Sequence, residues 1–87
     1  MSLSAREPDA LTTLAQLKQK MARARVVSID GDDEISQRIM EMGVIPGVEV
    51  VYLGSALFGD PLEIELRGYR LSLRKKEALR ISIEPLS

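Results

Sequence analysis

Four acidic residues, Asp30, Asp32, Asp33 and Glu34, stand within five consecutive positions. Oxygen ligands at such spacing can coordinate a hard cation such as Mg²⁺ or Mn²⁺, or weakly Fe²⁺. The calcium-loop pattern is not met, because glycine and a distal glutamate do not fall at its required positions. Helix capping explains the same residues more simply: Asp32 or Asp33 can accept from the free N–H groups of a helix start, and the carboxylates complement its dipole. These residues are therefore metal candidates only in second place. The sequence holds neither cysteine nor histidine. That removes the thiolate nucleophile and the disulfide, together with the commonest general base and transition-metal ligand. Ser, Lys and Asp occur, but none at a spacing that pairs a nucleophile with a base, and no glycine-rich phosphate loop is present. Neither an enzymatic activity nor a cofactor is expected.

Two other groups of residues suit recognition. Leu57 and Phe58 lie in an apolar loop, Ala56 to Pro61, bounded by turn residues, where they either form a docking patch or cap the end of a barrel. Phe58 is the only phenylalanine and, with Tyr52 and Tyr69, one of three aromatic residues, which makes it the natural anchor of an interface. From Arg67 to Arg80 the chain carries six basic residues, Arg67, Arg70, Arg74, Lys75, Lys76 and Arg80, and one acidic residue, Glu77, a local balance of +5. Such a stretch can dock an acidic partner or an anionic leaflet, or serve as a solvated face that blocks edge pairing. Only Tyr69 could stack on a base beside these charges, and the net charge is −1, so nucleic acid is not expected. The candidate partner-binding residues are Leu57, Phe58, Arg67, Tyr69, Arg70 and Arg74.

The elements that must position these groups fit one small domain. At 87 residues, 45% hydrophobic and 29% charged, the chain has an ordinary globular composition with a modest core. Residues 1–10 mix Ser, Pro and charges without periodicity and are expected to form a flexible tail before a single domain over residues 11–87. No apolar run approaches the roughly 20 residues needed to span a bilayer, and no leader pattern opens the sequence. A cytoplasmic protein without direct membrane insertion is the expectation. A second basic stretch, Lys18, Lys20, Arg23 and Arg25, precedes the acidic one.

Leu11, Leu14 and Leu17 suit a helical turn docked on the core. Val27 and Ile29 alternate with Ser28 and Asp30 as a first strand. After Asp30-Gly31, the positions Ile35, Ile39 and Met42 share one helical face, and Gly43 follows as a left-handed C′ residue. Pro46-Gly47 reads as a type II turn. Val48 to Leu53 carries apolar groups on both faces and is expected to be a central strand, ended or bulged by Gly54 and Ser55. Lys75 to Leu79 reads as one helical turn, and Ile81 to Glu84 as a last strand stopped by Pro85.

The hairpin Leu62 to Arg74 is the clearest element. Leu62, Ile64 and Leu66 alternate with Glu63, Glu65 and Arg67, and Leu71 and Leu73 with Arg70, Ser72 and Arg74. A type II′ loop at Gly68-Tyr69 would pair Leu66 with Leu71 and Ile64 with Leu73. It would also set Glu63 opposite Arg74 and Arg67 opposite Arg70, the latter a like-charge conflict. Five short strands with one clear helix predict an all-β fold, a small partly open barrel.

Taken together, Ile39-Met40-Glu41-Met42-Gly43-Val44-Ile45-Pro46-Gly47-Val48-Glu49-Val50, Gly59-Asp60-Pro61-Leu62, Arg67-Gly68 and Leu71-Ser72-Leu73-Arg74-Lys75-Lys76-Glu77-Ala78 resemble the ferrous iron transport protein A family, over roughly Ala24 to Pro85. The resemblance implies an SH3-like barrel in the cytoplasm. It implies an accessory role as partner to the cytoplasmic region of a membrane ferrous iron transporter that carries a GTPase domain, affecting its assembly or GTPase-linked activity. The same barrel resembles the C-terminal domain of iron-dependent repressors, which implies a metal-responsive regulatory domain as the alternative. Members often carry a Pro-Gly or Gly turn where this chain has Gln19-Lys20-Met21, and Ala-Pro-Leu-Gly-Asp-Pro where it has Ala56-Leu57-Phe58-Gly59-Asp60-Pro61.

Overall fold

The computed structural model describes residues 12–86. The expected tail over residues 1–10, and Leu11, lie outside the described residues. Five strands, β1 (Arg23–Ile29), β2 (Glu49–Ser55), β3 (Leu62–Leu66), β4 (Tyr69–Leu73) and β5 (Ile81–Leu86), form one sheet in the order β4-β3-β2-β1-β5. All neighbours are antiparallel. The end strands β4 and β5 do not hydrogen-bond to each other, so the sheet is the partly open barrel that the short strands and tight turns predict. Helix α1 (Glu34–Glu41) follows β1, and a single turn, α2 (Lys75–Ala78), precedes β5. A 3₁₀ turn, Leu14–Gln16, supplies the fully buried Leu14.

The core is the inner face of this sheet. Alternation puts Leu62, Ile64 and Leu66 of β3 inward, facing Val50 and Tyr52 of β2, Ala24 and Val26 of β1, and Ile81 and Ile83 of β5. Ile39 of α1 is fully buried, with Ile35 and Met42 packed beside it, so the helical face read from the sequence closes the barrel. Truncating a fully buried Leu or Ile here to Ala would cost about 2–5 kcal/mol. β2 is central, as its two-sided apolar pattern requires, and its ladder with β3 slips between Tyr52 and Gly54.

β1 departs from the simple alternation. Ala24 and Val26 face the core, whereas Val27 is exposed, because the pairing with β5 shifts between Val26 and Ser28. One extra residue at that bulge reverses the parity and leaves Ile29 half-buried. β5 continues through Pro85 to Leu86 instead of stopping before the proline. Proline is tolerated there because β5 is an end strand. The other side of β5 is partly covered by the chain near its beginning: Ile83 N–H donates to the Thr12 carbonyl at 2.8 Å, and Thr13 bridges Ser82.

The hairpin register differs from the type II′ expectation by two residues. Leu62 pairs with Leu73, Ile64 with Leu71 and Leu66 with Tyr69, leaving Arg67-Gly68 as the loop. Arg67 has φ 50° and Gly68 φ 86°, the double positive φ of a type I′ turn. A slip of two keeps every side chain on its expected face. It takes Arg67 away from Arg70 and sets Arg70 opposite Glu65 and Glu63 opposite Ser72, which removes the like-charge conflict. It also puts Tyr69 on the inner side, where its hydroxyl donates to the Met42 carbonyl at the end of α1 at 2.6 Å. That bond satisfies one of the orphan carbonyls of the helix terminus.

Gly43 is bound into the same contact: its φ is +100°, and a Cβ there would lie 2.6 Å from the Tyr69 hydroxyl oxygen. Gly47 has a similar φ of +97° with nothing within 4 Å. Gly47→Ala is therefore expected to cost about 1–2 kcal/mol, the backbone penalty alone. Gly43→Ala is expected to cost about 1 kcal/mol more, through displacement of the Tyr69 hydrogen bond. In the double variant Gly43→Ala/Tyr69→Phe the cost falls below the sum of the singles, since the colliding oxygen is gone. Urea titration of the four variants measures this.

Candidate functional site

The acidic cluster is organised around the start of α1. Asp33 is the N-cap: its Oδ1 accepts from Ser36 N–H at 3.2 Å, and the buried Ser36 hydroxyl donates to the Asp33 carbonyl at 2.9 Å. The same Oδ1 accepts from the Arg80 guanidinium at 2.7 Å. The hydrogen bond from Arg80, followed by that from Ser36, holds the Asp33 carboxyl down at about 2. Asp30 is fastened through its backbone N–H to the Arg80 carbonyl at 2.8 Å. Asp30, Asp32, Asp33 and Arg80 line one shallow depression, in which a guanidinium occupies the carboxylate a cation would use. No group of three or more acidic side chains is gathered to hold a metal among the described residues.

The apolar loop becomes a projecting tip. Leu57–Gly59 form a 3₁₀ turn whose central residue, Phe58, has φ 60° and ψ 22°, a left-handed conformation that non-glycine residues rarely adopt. Phe58 is 92% exposed and Leu57 79%, so neither caps the barrel end. The turn is tied at its base by Ala56 N–H to the Pro61 carbonyl at 2.9 Å and by Lys75 N–H to Asp60 Oδ1 at 3.0 Å. A groove of about 360 Å³ runs along one side, lined by Leu17, Lys18, Tyr52, Phe58, Leu62 and Lys75. A second, of about 350 Å³, runs along the other and includes Lys20, Leu53, Ala56, Pro61 and Glu63.

The six candidate binding residues separate into two places. β2, β3 and β4 are antiparallel neighbours, so the loop after β2 and the turn after β3 lie at opposite ends of these strands, roughly 17 Å apart along β3. Arg67, Tyr69 and Arg70 belong to the turn end. Leu57, Phe58 and Arg74 belong to the loop end, because Leu73 pairs with Leu62 and Arg74 leads directly into the turn tied to Asp60. Tyr69 is held by its bond to Met42. Arg67, Arg70, Arg74, Lys75 and Lys76 form no ion pair among the described residues, where Arg23–Glu49 at 2.8 Å and Arg80–Asp33 at 2.7 Å are the pairs formed.

Lys18, Lys20 and Met21 join the loop end, and the sequence reading gave them no role. Met21 sits in the turn before β1 with φ 71°, is 66% exposed, and donates its N–H to the Tyr52 carbonyl at 2.7 Å. The signal that marks it is the glycine common at this turn in the resembling family. A left-handed backbone is needed there whatever the side chain.

Comparison with known proteins agrees with this architecture. The model of the FeoA domain family matches residues 12–85. The Fe(2+) transport protein A/Fe(2+) transporter FeoB fusion protein of Porphyromonas gingivalis is 31% identical over 65 residues, 75% of this chain, which spans 8% of that relative's length. The solution structure of a FeoA-like protein from Clostridium acetobutylicum is 39% identical, with 86% of each chain covered and a TM-score of 0.78. A zinc complex of Stenotrophomonas maltophilia FeoA, described as a procaryotic SH3 domain protein, is 28% identical over 84% of this chain and 89% of that one, with a TM-score of 0.71. The fold is thus the SH3-like barrel the resemblance implied.

The Asp33–Arg80 contact sets a pH dependence. Since the folded carboxyl lies at about 2, below an unfolded value of about 3.9, its stabilisation is complete above about pH 4 and is lost as pH falls toward 2. In a carboxyl ¹³C titration, Asp33 is expected to titrate near pH 2 in the parent chain and at a distinctly higher pH in Arg80→Ala.

Proposed function

Because the chain belongs to the FeoA domain family, we propose that it is a non-enzymatic accessory protein of ferrous iron uptake, docking in the cytoplasm on a membrane ferrous iron transporter. In this reading it modulates the assembly or GTPase-linked activity of that transporter. The observation that carries the proposal is the Porphyromonas gingivalis relative, in which a transport protein A segment and a FeoB transporter are one polypeptide. Fusion holds two modules at a millimolar effective concentration, an arrangement that serves parts which act on each other. The absence of histidine and cysteine from this sequence agrees with an accessory role, with the iron carried as cargo by the partner.

The turn end of the hairpin is the proposed protein contact. Arg67 and Arg70 flank the Gly68-Tyr69 pair in the sequence and form no ion pair among the described residues, and the Tyr69 ring is fixed by its hydrogen bond to α1. Guanidinium groups suit bidentate carboxylates, and a fixed aromatic ring gives contact area with little entropy to lose. An acidic surface on the cytoplasmic region of the transporter is the complementary partner.

Capture of detergent-solubilised transporter on the immobilised chain tests this. Arg70→Glu is expected to lower recovery about tenfold at low salt, with the difference from the parent shrinking as salt rises. Undiminished recovery with both Arg67→Glu and Arg70→Glu would remove the turn end as the contact.

A further inference from the structure

The loop end, opposite the proposed protein contact, displays large apolar side chains that the fold does not use. Phe58, Leu57 and Met21 are 92%, 79% and 66% exposed, and none belongs to the core cluster or packs against it. Phe58 and Met21 also occupy left-handed backbone, at φ 60° and 71°, where glycine would be unstrained. Scattered apolar residues on a surface need no explanation. Here Phe58 and Leu57 are adjacent at the tip, and Met21 lies at the same end of the sheet, its backbone N–H bonded to the Tyr52 carbonyl of β2.

Basic side chains flank the same tip. Lys18 and Lys75 line the groove on one side and Lys20 the groove on the other, and Arg74 and Lys76 flank Lys75 in the sequence. None forms an ion pair among the described residues. Among the described residues, the acidic groups nearby are Asp60, whose Oδ1 accepts from the Lys75 backbone, Glu63 at the second groove, and the buried Glu77, which accepts from the Arg74 backbone. Five cations against three carboxylates, two of them turned to backbone N–H groups, give this set of described residues an excess of positive charge.

We infer that this tip docks on an anionic lipid surface, with Phe58, Leu57 and Met21 at the level of the headgroups and acyl boundary and the surrounding lysines on lipid phosphates. The shape favours lipid over a protein. A projecting tip needs a matching pocket in a protein partner, whereas a fluid interface closes around it. Lysine, a compact charge on a flexible stem, contacts mobile headgroups without fixed geometry and can reach them while its stem covers apolar surface. Attraction of several basic residues to anionic lipid adds to the burial of a few apolar side chains, the two-part arrangement that peripheral attachment requires. The chain lies on the membrane without spanning it, and among the described residues no helix is long and apolar enough to cross one. The inference is independent of the transporter, because it can be tested on lipid alone.

Flotation with vesicles of phosphatidylcholine mixed with phosphatidylglycerol, against phosphatidylcholine alone, tests it. Phe58→Gly relieves the left-handed strain, so circular dichroism and thermal stability should be kept or improved while partition to the anionic vesicles falls about tenfold. Lys18→Glu/Lys20→Glu should lower partition by at least as much, and added salt should weaken the parent. Equal partition to both vesicle types, no partition to either, or anionic binding unchanged in Phe58→Gly would each overturn the inference. If Phe58→Gly instead lowered recovery of detergent-solubilised transporter and left vesicle partition intact, the tip would be a protein contact. Loss of transporter capture in Arg70→Glu with vesicle binding preserved would separate the two ends.

Discussion

The hydrogen bond from the Tyr69 hydroxyl to the Met42 carbonyl joins two parts of the chain that local patterning leaves independent. It exists only in the register that pairs Tyr69 with Leu66, and that register exists only if Arg67 takes positive φ beside Gly68. The strain of one left-handed arginine, about 1–2 kcal/mol, is offset by an inward tyrosine, a satisfied helix carbonyl and the removal of Arg67 from Arg70. Once the register is set, Leu62, Ile64 and Leu66 meet Leu73, Leu71 and Tyr69 across the ladder. Ile39 then completes the core from α1. Gly43 is required at that junction for two reasons at once, its φ and the hydroxyl oxygen beside it.

A second tie fastens the other end of α1. Arg80, at the approach to β5, reaches Asp33 at the helix start while its carbonyl receives the Asp30 N–H. The helix is thus held at its start by a charged contact from the β5 side of the sheet and at its finish by a neutral one from β4. Of the four acidic residues in the cluster, Asp33 is committed to a guanidinium and a helix cap.

With the core satisfied inside, the surface divides by end. The turn after β3 carries arginines and a fixed tyrosine, and the loop after β2 carries exposed apolar side chains among lysines. Antiparallel geometry enforces this division, because consecutive connections of a meander alternate between the two ends of its strands. Two left-handed non-glycine residues, Met21 and Phe58, fall at the loop end. At both positions the backbone takes a conformation that glycine adopts without strain, and this chain displays an exposed apolar side chain there instead.

The sequence by itself determined the elements and the inner face. Ile35, Ile39 and Met42 at helical spacing, the alternation of β3 and β4, and the two-sided pattern of β2 each specify burial through a period that the backbone enforces locally. Capping by Asp33, the C′ glycine at Gly43 and the turn at Pro46-Gly47 are local as well. Register was not legible, since Gly68 permits two turn types and a slip of two residues leaves the apolar face unchanged. The like charges of Arg67 and Arg70 argue against the first register, and the contact of Tyr69 with the distant α1, which no local pattern shows, favours the second. The bulge at Val27 was equally hidden, because it arises from β1 pairing with β5, some 55 residues later in the chain. Whether Arg70 and Phe58 share a surface was likewise beyond a linear reading. Their separation follows from strand direction, which exists only once the sheet has formed.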